Sequence, residues 1–375
     1  MNFSIKKINK FNDTLDSLKI AQVERNDDVF YKGIILDTNN SVVMTNFSHT
    51  QEFVFPSDLE TFCSVDGRKL RFFDNVTKNK KSYKSFVAEE GTLIRIFVHN
   101  DNWYISTQSR LDAYKSFWSN NFSFGVQFEN FILESNPNFE KMSDFYDCLD
   151  ETKQYVFLLP TTQNNRIGKK YDVNETKIVY LVGVRDRSSG TFTFGDEELL
   201  KNVNLKPLEQ VTIENRDDLV SYMSENKNII FYFYDESQPL QLENLSVLKC
   251  LNEEYDFNCK LRNNEYNLEY RYVELLLSNP AKLEKFCQLF PDNDFKDIDD
   301  NYNKLISYIH TKYIERYVKH QFEILPKYIH YILKMCHKNY KTTRVKTTRL
   351  SILGVLLSLK MKFVYYVYKE FFKRK

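Results

Sequence analysis

Short runs in which apolar and polar side chains alternate dominate the first two thirds of the chain. Val29–Asp37, Ser41–Phe47, Thr92–His99, Trp103–Thr107, Tyr155–Thr161, Lys177–Val184 and Ile229–Tyr234 are rich in β-branched and aromatic residues. Polar turns bound each run, which predicts strands. Along Thr92–His99 a period of two puts Thr92, Ile94, Ile96 and Val98 on one face and Leu93, Arg95, Phe97 and His99 on the other. The first face suits a core; the second carries Arg95 and His99. Helical spacing intervenes at Leu111–Trp118 and Val126–Glu134. The mixture predicts an α+β body with mainly antiparallel sheets.

After about Glu265 the period changes. Tyr302, Leu305, Ile306, Ile309, Tyr313 and Tyr317 recur at three- and four-residue spacing, as on a long amphipathic helix. Pro326 opens a second helical stretch and Leu350–Phe372 forms a third. The expected organisation is an α+β domain over residues 1–265 and a basic all-α domain over 266–375.

Charge follows this division. The net charge of +1 hides seventeen lysines and arginines against three acids (Glu315, Glu323, Glu370) between Asn301 and Lys375, a balance of +14. The remaining 35 basic and 48 acidic residues give −13. A basic module on an acidic body suits either a polyanion partner or mutual neutralisation of the two parts. Only Ala21, Ala88, Ala113 and Ala281 are alanines, against 31 Phe and 25 Tyr, a bias that reports AT-rich codons more than a stacking surface. Cys63, Cys148, Cys250, Cys259, Cys287 and Cys336 contain no Cys-x-x-Cys pair and read as reduced thiols of a cytoplasmic protein. Nothing completes a zinc site around Cys336-His337, and His310, His320 and His330 do not share a helical face. Met1–Phe11 lacks the apolar stretch of a secretory signal, and Leu350–Leu359 is too short to span a bilayer, so a soluble protein without membrane contact is expected.

Three segments carry candidate chemistry. The first is Ala88-Glu-Glu-Gly-Thr-Leu-Ile-Arg95. The second is Leu158-Leu-Pro-Thr-Thr-Gln-Asn-Asn-Arg-Ile167, and the third is Val184-Arg-Asp-Arg-Ser-Ser-Gly-Thr-Phe192. Each of the last two alone reads as a hairpin with a solvated arginine. In this order the three resemble the motifs of phage-type ATP-dependent RNA ligases, the group of the first RNA ligase of the T-even phages. Those motifs run Lys-x-Asp/Glu-Gly-Ser/Thr, then an apolar strand leading to Pro-x-Asn-Arg-Ile, then Val-Arg ahead of a glycine turn. Tyr31-Lys-Gly-Ile-Ile-Leu-Asp37 resembles the family's upstream Arg-Gly-Ile segment, with Lys32 for the arginine. Trp103–Ser109 resembles the strand that follows the nucleophile motif, and Cys259-Lys-Leu-Arg-Asn-Asn-Glu-Tyr266 resembles the last motif, Lys-x-Lys within a strand. The likeness covers about Tyr31 to Tyr270 and implies a nucleotidyltransferase fold with ATP and Mg²⁺ as cofactors of any activity retained.

The departures alter the chemistry. The resemblance places the nucleophilic lysine at Ala88 and a glutamate near metal and ribose at Leu159. A Glu-Gly expected near Lys227-Asn228 is absent, and the family's lysine near Thr107-Gln108 is replaced. Self-adenylylation needs a free amine, a carboxylate that organises Mg²⁺ and cations facing the triphosphate. Lys32, Glu90, Arg95, Arg166, Arg185, Lys260 and Arg262 remain as candidates for nucleotide or phosphate binding. Lys84, on the same face as Ala88, lies ~13 Å away along an extended strand, and Lys81 is farther, so rescue would fall to a lysine of another strand such as Lys260.

A tandem Lys-Thr-Thr-Arg, Lys341–Arg344 and Lys346–Arg349, precedes the apolar helix Leu350–Leu359. Cations, hydroxyls and helix N-terminal amides there suit either a nucleic-acid backbone or a solvated connector. The sequence therefore points to an RNA-ligase-like protein without adenylylation that binds RNA or another polyanion. The alternatives are an active ligase with a displaced lysine and a virion-associated scaffold of an AT-rich virus.

Overall fold

The computed structural model describes residues 5–25, 30–55, 62–64, 69–70, 82–118, 122–161, 167, 177–225 and 228–373. It divides into two compact units, 1–257 and 258–375, parting ahead of residue 265.

The described residues of the first unit form three sheets. One is an antiparallel meander of β1 (Ile5–Leu15), β2 (Leu18–Arg25), β3 (Phe30–Leu36) and β4 (Val42–Met44). A mixed sheet joins β5 (Gln51–Phe55), β6 (Phe62–Ser64), β7 (Lys69–Leu70) and β8 (Ser82–Val87) to β15 (Ile229–Tyr234) and β16 (Ser246–Asn252), in the order β7-β6-β5-β16-β15-β8. The central sheet runs β10 (Asn102–Thr107), β9 (Gly91–His99), β11 (Lys153–Pro160), β12 (Tyr180–Asp186) and β13 (Phe192–Phe194), with β14 (Lys206–Pro207) parallel to β12. Among the described strands, only β5–β16 and β12–β14 pair in parallel. Asn100 and Asp101 both take positive φ, 49° and 59°, the geometry of a tight type I′ hairpin between β9 and β10.

Alternation along the strands builds the layers. Ile94, Ile96, Phe157, Leu159 and Leu181 pack beneath α1 (Phe124–Ser135), α2 (Met142–Tyr146) and α3 (Glu197–Asn202). Phe97, Val156, Leu158, Val182 and Phe192 point the other way and meet Phe86, Tyr232 and Val247 of the mixed sheet. Ile229, Phe231, Leu248 and Cys250 line that sheet's far side under Leu219 and Met223 of α4 (Arg216–Ser224). The order is helices, central sheet, mixed sheet, helix. Both faces of β9 are therefore core, including the one that holds Arg95.

Two expected helices differ. Leu111–Trp118 yields only a single 3₁₀ turn, Ala113–Lys115, capped by the Asp112 carboxylate. Ser116 is extended, and its carbonyl accepts the Phe124 N–H at 2.8 Å, which ties the segment to the start of α1 instead of prolonging the turn.

The second unit is helical. α5 (Glu253–Arg262) crosses into it, and α6 (Leu268–Ser278), α7 (Leu283–Leu289), α8 (Lys296–Tyr317) and α9 (Lys327–Thr343) follow. Tyr302, Leu305, Ile306, Ile309 and Tyr313 form the buried stripe of α8, as their spacing predicts. The expected helix Leu350–Phe372 is two, α10 (Arg349–Leu357) and α11 (Met361–Lys373). Ser358 Oγ donates to Val355 O at 2.7 Å at the break. The reset lets Ile352, Val355 and Leu356 and then Val364, Val367 and Phe371 all reach the same core. The chain is thus α+β with mainly antiparallel sheets, followed by an all-helical region. No helix among the described residues is long and apolar enough to cross a membrane.

Candidate functional site

Ala88, Glu89 and Glu90 carry the chain from β8 of the mixed sheet to β9 of the central one. The Ala88 N–H donates to Asn228 O at 3.0 Å, and the preceding Val87 N–H donates to Glu209 O at 2.9 Å. Glu90 O accepts from Thr161 N at 2.8 Å, and its carboxylate Oε2 accepts from Ile167 N at 2.9 Å. Residues 88–91, 159–161, 167 and 228 thus meet at one end of the inter-sheet core. Arg166 and Lys227 lie outside the described residues.

Ala88 is 9% exposed and directly follows β8, whose Phe86 faces the central sheet. The side chain at this crossing is a methyl group. Lys84 Nζ lies 5.6 Å from the centroid of the Phe194 ring. Leu159 turns to the helix-covered side, whereas Leu158 faces between the sheets. One residue along a strand reverses the face, so Pro160, which pairs with Gly91 at the end of this strand, shares the parity of Leu158. Both are hydrocarbon.

The arginines of the central sheet are elsewhere. Arg95 is 0% exposed; its terminal nitrogens donate to Gly33 O and, at 2.7 Å, to Thr107 O. Burial lowers its pKa to about 9. Gly33 meets this arginine at φ 79°, and a Cβ there would stand 2.6 Å from Gln108 O, so only glycine fits between the two segments. Arg185 donates to Gln154 Oε1 at 3.1 Å and lies 3.6 Å from Glu243 Oε1, while Thr45 Oγ1 donates to Glu243 Oε2 at 3.2 Å. Its strand neighbour Val184 stands opposite Tyr155, and Tyr155 stands opposite Ile96. That level on β9 is five residues from Gly91, roughly 17 Å. Arg95 and Arg185 accordingly belong to an interior network joining the meander to the central sheet. Lys32 is exposed on β3, its carbonyl accepting from Asn46 Nδ2 at 2.8 Å.

Cys259–Tyr266 is not a strand. It is the end of α5 and a turn in which Asn263 takes φ 59°. Lys260 is exposed on that helix and Arg262 is buried. Acids in the first turn and Lys260 and Arg262 in the last complement the helix dipole, a local signal for helix that outweighs the short Lys-x-Arg pattern. A strand is found instead at β16, which pairs with Ile229–Tyr234 on the side away from β8, and its Lys249 escaped sequence reasoning. Lys249 shares the parity of Val247, which faces the central sheet, and stands opposite Ile230, itself opposite Phe86. Its Nζ lies 5.6 Å from the Tyr255 ring centroid. The alternation in Ser246-Val-Leu-Lys-Cys-Leu251 was the available signal.

At the C-terminal tandem, Lys341 closes α9 and Arg344 caps it in the left-handed region at φ 60°. Lys341, Arg344, Lys346 and Arg349 are exposed. Thr348 N-caps α10: its Oγ1 accepts from Ser351 N at 3.2 Å, and Ser351 Oγ accepts from Thr348 N at 3.1 Å. The capping box already uses those two amides.

No protein-family model matches the chain. The immediate-early protein ICP-46 homolog of Invertebrate iridescent virus 3 is 26% identical over 230 residues, covering 60% of this chain and 48% of the relative. That of Invertebrate iridescent virus 6 is 27% identical over 281 residues, covering 69% of this chain and 59% of the relative. The chain thus spans between about half and three fifths of the length of these relatives. Among solved structures, an archaeal ATP-dependent RNA ligase is similar at a TM-score of 0.39 and 8% identity, covering 77% of this chain and 74% of the ligase. A putative ATP-dependent DNA ligase from Aquifex aeolicus is similar at 0.40 and 14%, covering 77% and 78%.

Proposed function

We propose that this chain is an RNA-ligase-like protein of nucleotidyltransferase fold that has lost self-adenylylation and binds RNA or nucleotide phosphates without bonding to them. The observation that carries this reading is Ala88, a methyl group at the crossing between the sheets, held by its amide to Asn228 O. An α-phosphate needs an amine there to attack it. The neighbouring strand offers Leu158 and Leu159 in place of a carboxylate, and Arg95 and Arg185 are engaged inside the fold. These residues do not fit ATP and Mg²⁺ held for nucleotidyl transfer at this crossing. Phosphate binding rests on the exposed cations Lys32, Lys341, Arg344, Lys346 and Arg349. The iridescent-virus relatives support a viral origin; the proposed place of action is host cytoplasm or virion.

Fluorescence anisotropy with a labelled single-stranded RNA tests the binding half. The logarithm of affinity should fall linearly with the logarithm of salt, by about 0.7 for each phosphate neutralised. Absence of binding, or binding indifferent to salt, overturns it.

One observation favours a second reading, an active ligase with a displaced nucleophile. Lys249 is a lysine on the face of the mixed sheet that Phe86 shares, two strands from β8. Its signature would be a covalent protein–AMP adduct at Lys249.

A further inference from the structure

We infer that the outer face of α9 is a track for the backbone of single-stranded nucleic acid, an inference that rests on the phosphate-binding reading above and gives it a surface. Lys327, Tyr331, Lys334, Lys338 and Lys341 are all exposed. Their spacing of four, three, four and three residues confines them to an arc of ~80° along ~21 Å of helix. The opposite face, Ile329, Ile332, Leu333 and Cys336, is buried in the core of the second unit.

Helices of this unit elsewhere pair a lysine with an acid three residues away, as in Lys312–Glu315 and Glu370–Lys373. The α9 stripe does the opposite. Between Glu323 and Glu370 the sequence contains no aspartate or glutamate, and these two acids bind Lys312 and Lys373. Lysines at such spacings repel one another, and a chain of phosphates relieves that repulsion. The stripe continues into Arg344, Lys346 and Arg349 past the end of the helix.

An aromatic within the stripe points to a single strand. Tyr331 is 48% exposed, and its ring is braced edge-on against Phe363 at 5.6 Å and 83°. A held, open ring among cations offers a base a stacking surface that a paired duplex does not use.

The test uses the full chain, a labelled single-stranded oligoribonucleotide and its DNA counterpart, with helix content checked by circular dichroism. The variant K327Q/K334Q/K338Q/K341Q should lower the salt slope by about 2.8, from about 0.7 for each of four contacts. A control replacing exposed Lys304, Lys319, Lys360 and Lys362 with glutamine should leave the slope near that of the unaltered protein. The all-arginine version of the stripe should retain it. Tyr331→Leu should weaken binding several-fold at unchanged slope, because it removes stacking and no charge.

If the control lowers the slope and the stripe variant does not, the track lies elsewhere and the inference fails. It fails also if poly-glutamate displaces the oligonucleotide and Tyr331→Leu has no effect, since the stripe then serves acidic protein. If the unaltered chain binds no nucleic acid, the broader reading fails with it. Preference between RNA and DNA identifies the source of the backbone.

Discussion

Gly91 lies directly beneath the carbonyl of Leu159, so that a Cβ on residue 91 would stand 2.3 Å from that oxygen. The same Cβ would stand 2.9 Å from the Leu158 side chain. The glycine of Glu90-Gly91-Thr92 is therefore fixed by strand packing, independently of any nucleotide. Gly91→Ala should destabilise the first unit by about 1–3 kcal/mol, the cost of overpacking a rigid site. Urea unfolding would show it as a lower midpoint.

Arg95 supports a second prediction. Its removal orphans the Gly33 and Thr107 carbonyls and leaves a cavity between the meander and the central sheet. Arg95→Ala should cost at least about 3 kcal/mol. Arg95→Lys should recover only part, because one ammonium cannot copy the planar fork that reaches both carbonyls. If Arg95→Ala instead unfolds with the unaltered protein and loses only RNA affinity, Arg95 is a binding residue and the interior network is misread.

Alkaline pH should unfold the protein through its buried phenols. Burial pushes the Tyr155 hydroxyl up to about 12, opposed by the hydrogen bond that its oxygen accepts from Asp150 N. The unfolded phenol titrates near 10. Because the folded value is the higher one, stability is fully present below about 10 and is lost as pH rises toward 12. Thermal midpoints measured across that window should fall, and Tyr155→Phe should fall less steeply.

Thr348 gives a smaller, local effect. Thr348→Ala removes the cap on α10 and should destabilise the second unit by about 1 kcal/mol. Thr348→Ser should be near neutral. Urea unfolding followed by far-ultraviolet circular dichroism would check both.

Much of this architecture was legible because its strands carry one apolar face or two. Ile229–Tyr234 and Thr92–His99 appear as strands with nearly the bounds that their alternation predicts. The β1–β2 hairpin was not legible: Ile5–Leu15 is largely polar and solvent-facing, and β-bulges interrupt its register. At the candidate site, the resemblance singled out Ala88, Glu90 and Leu159; in the structure Leu159 pairs with Thr92 and Glu90 accepts from Thr161 and Ile167, while the Ala88 amide bonds Asn228. Side-chain direction was not legible. Whether Arg95 points to a rim or an interior depends on the meander packed over it, and no local pattern in β9 encodes that. Lys249 was passed over because a single lysine in an apolar strand resembles an ordinary edge residue until its pairing is known.

The absence of a nucleophile is the claim on which the functional account turns. Intact-mass spectrometry of the full chain after incubation with ATP and Mg²⁺ addresses it most directly. The account predicts an unchanged mass, for the unaltered protein and for Lys249→Arg alike. A mass gain of one AMP that disappears in Lys249→Arg would contradict it and establish a ligase with a relocated lysine.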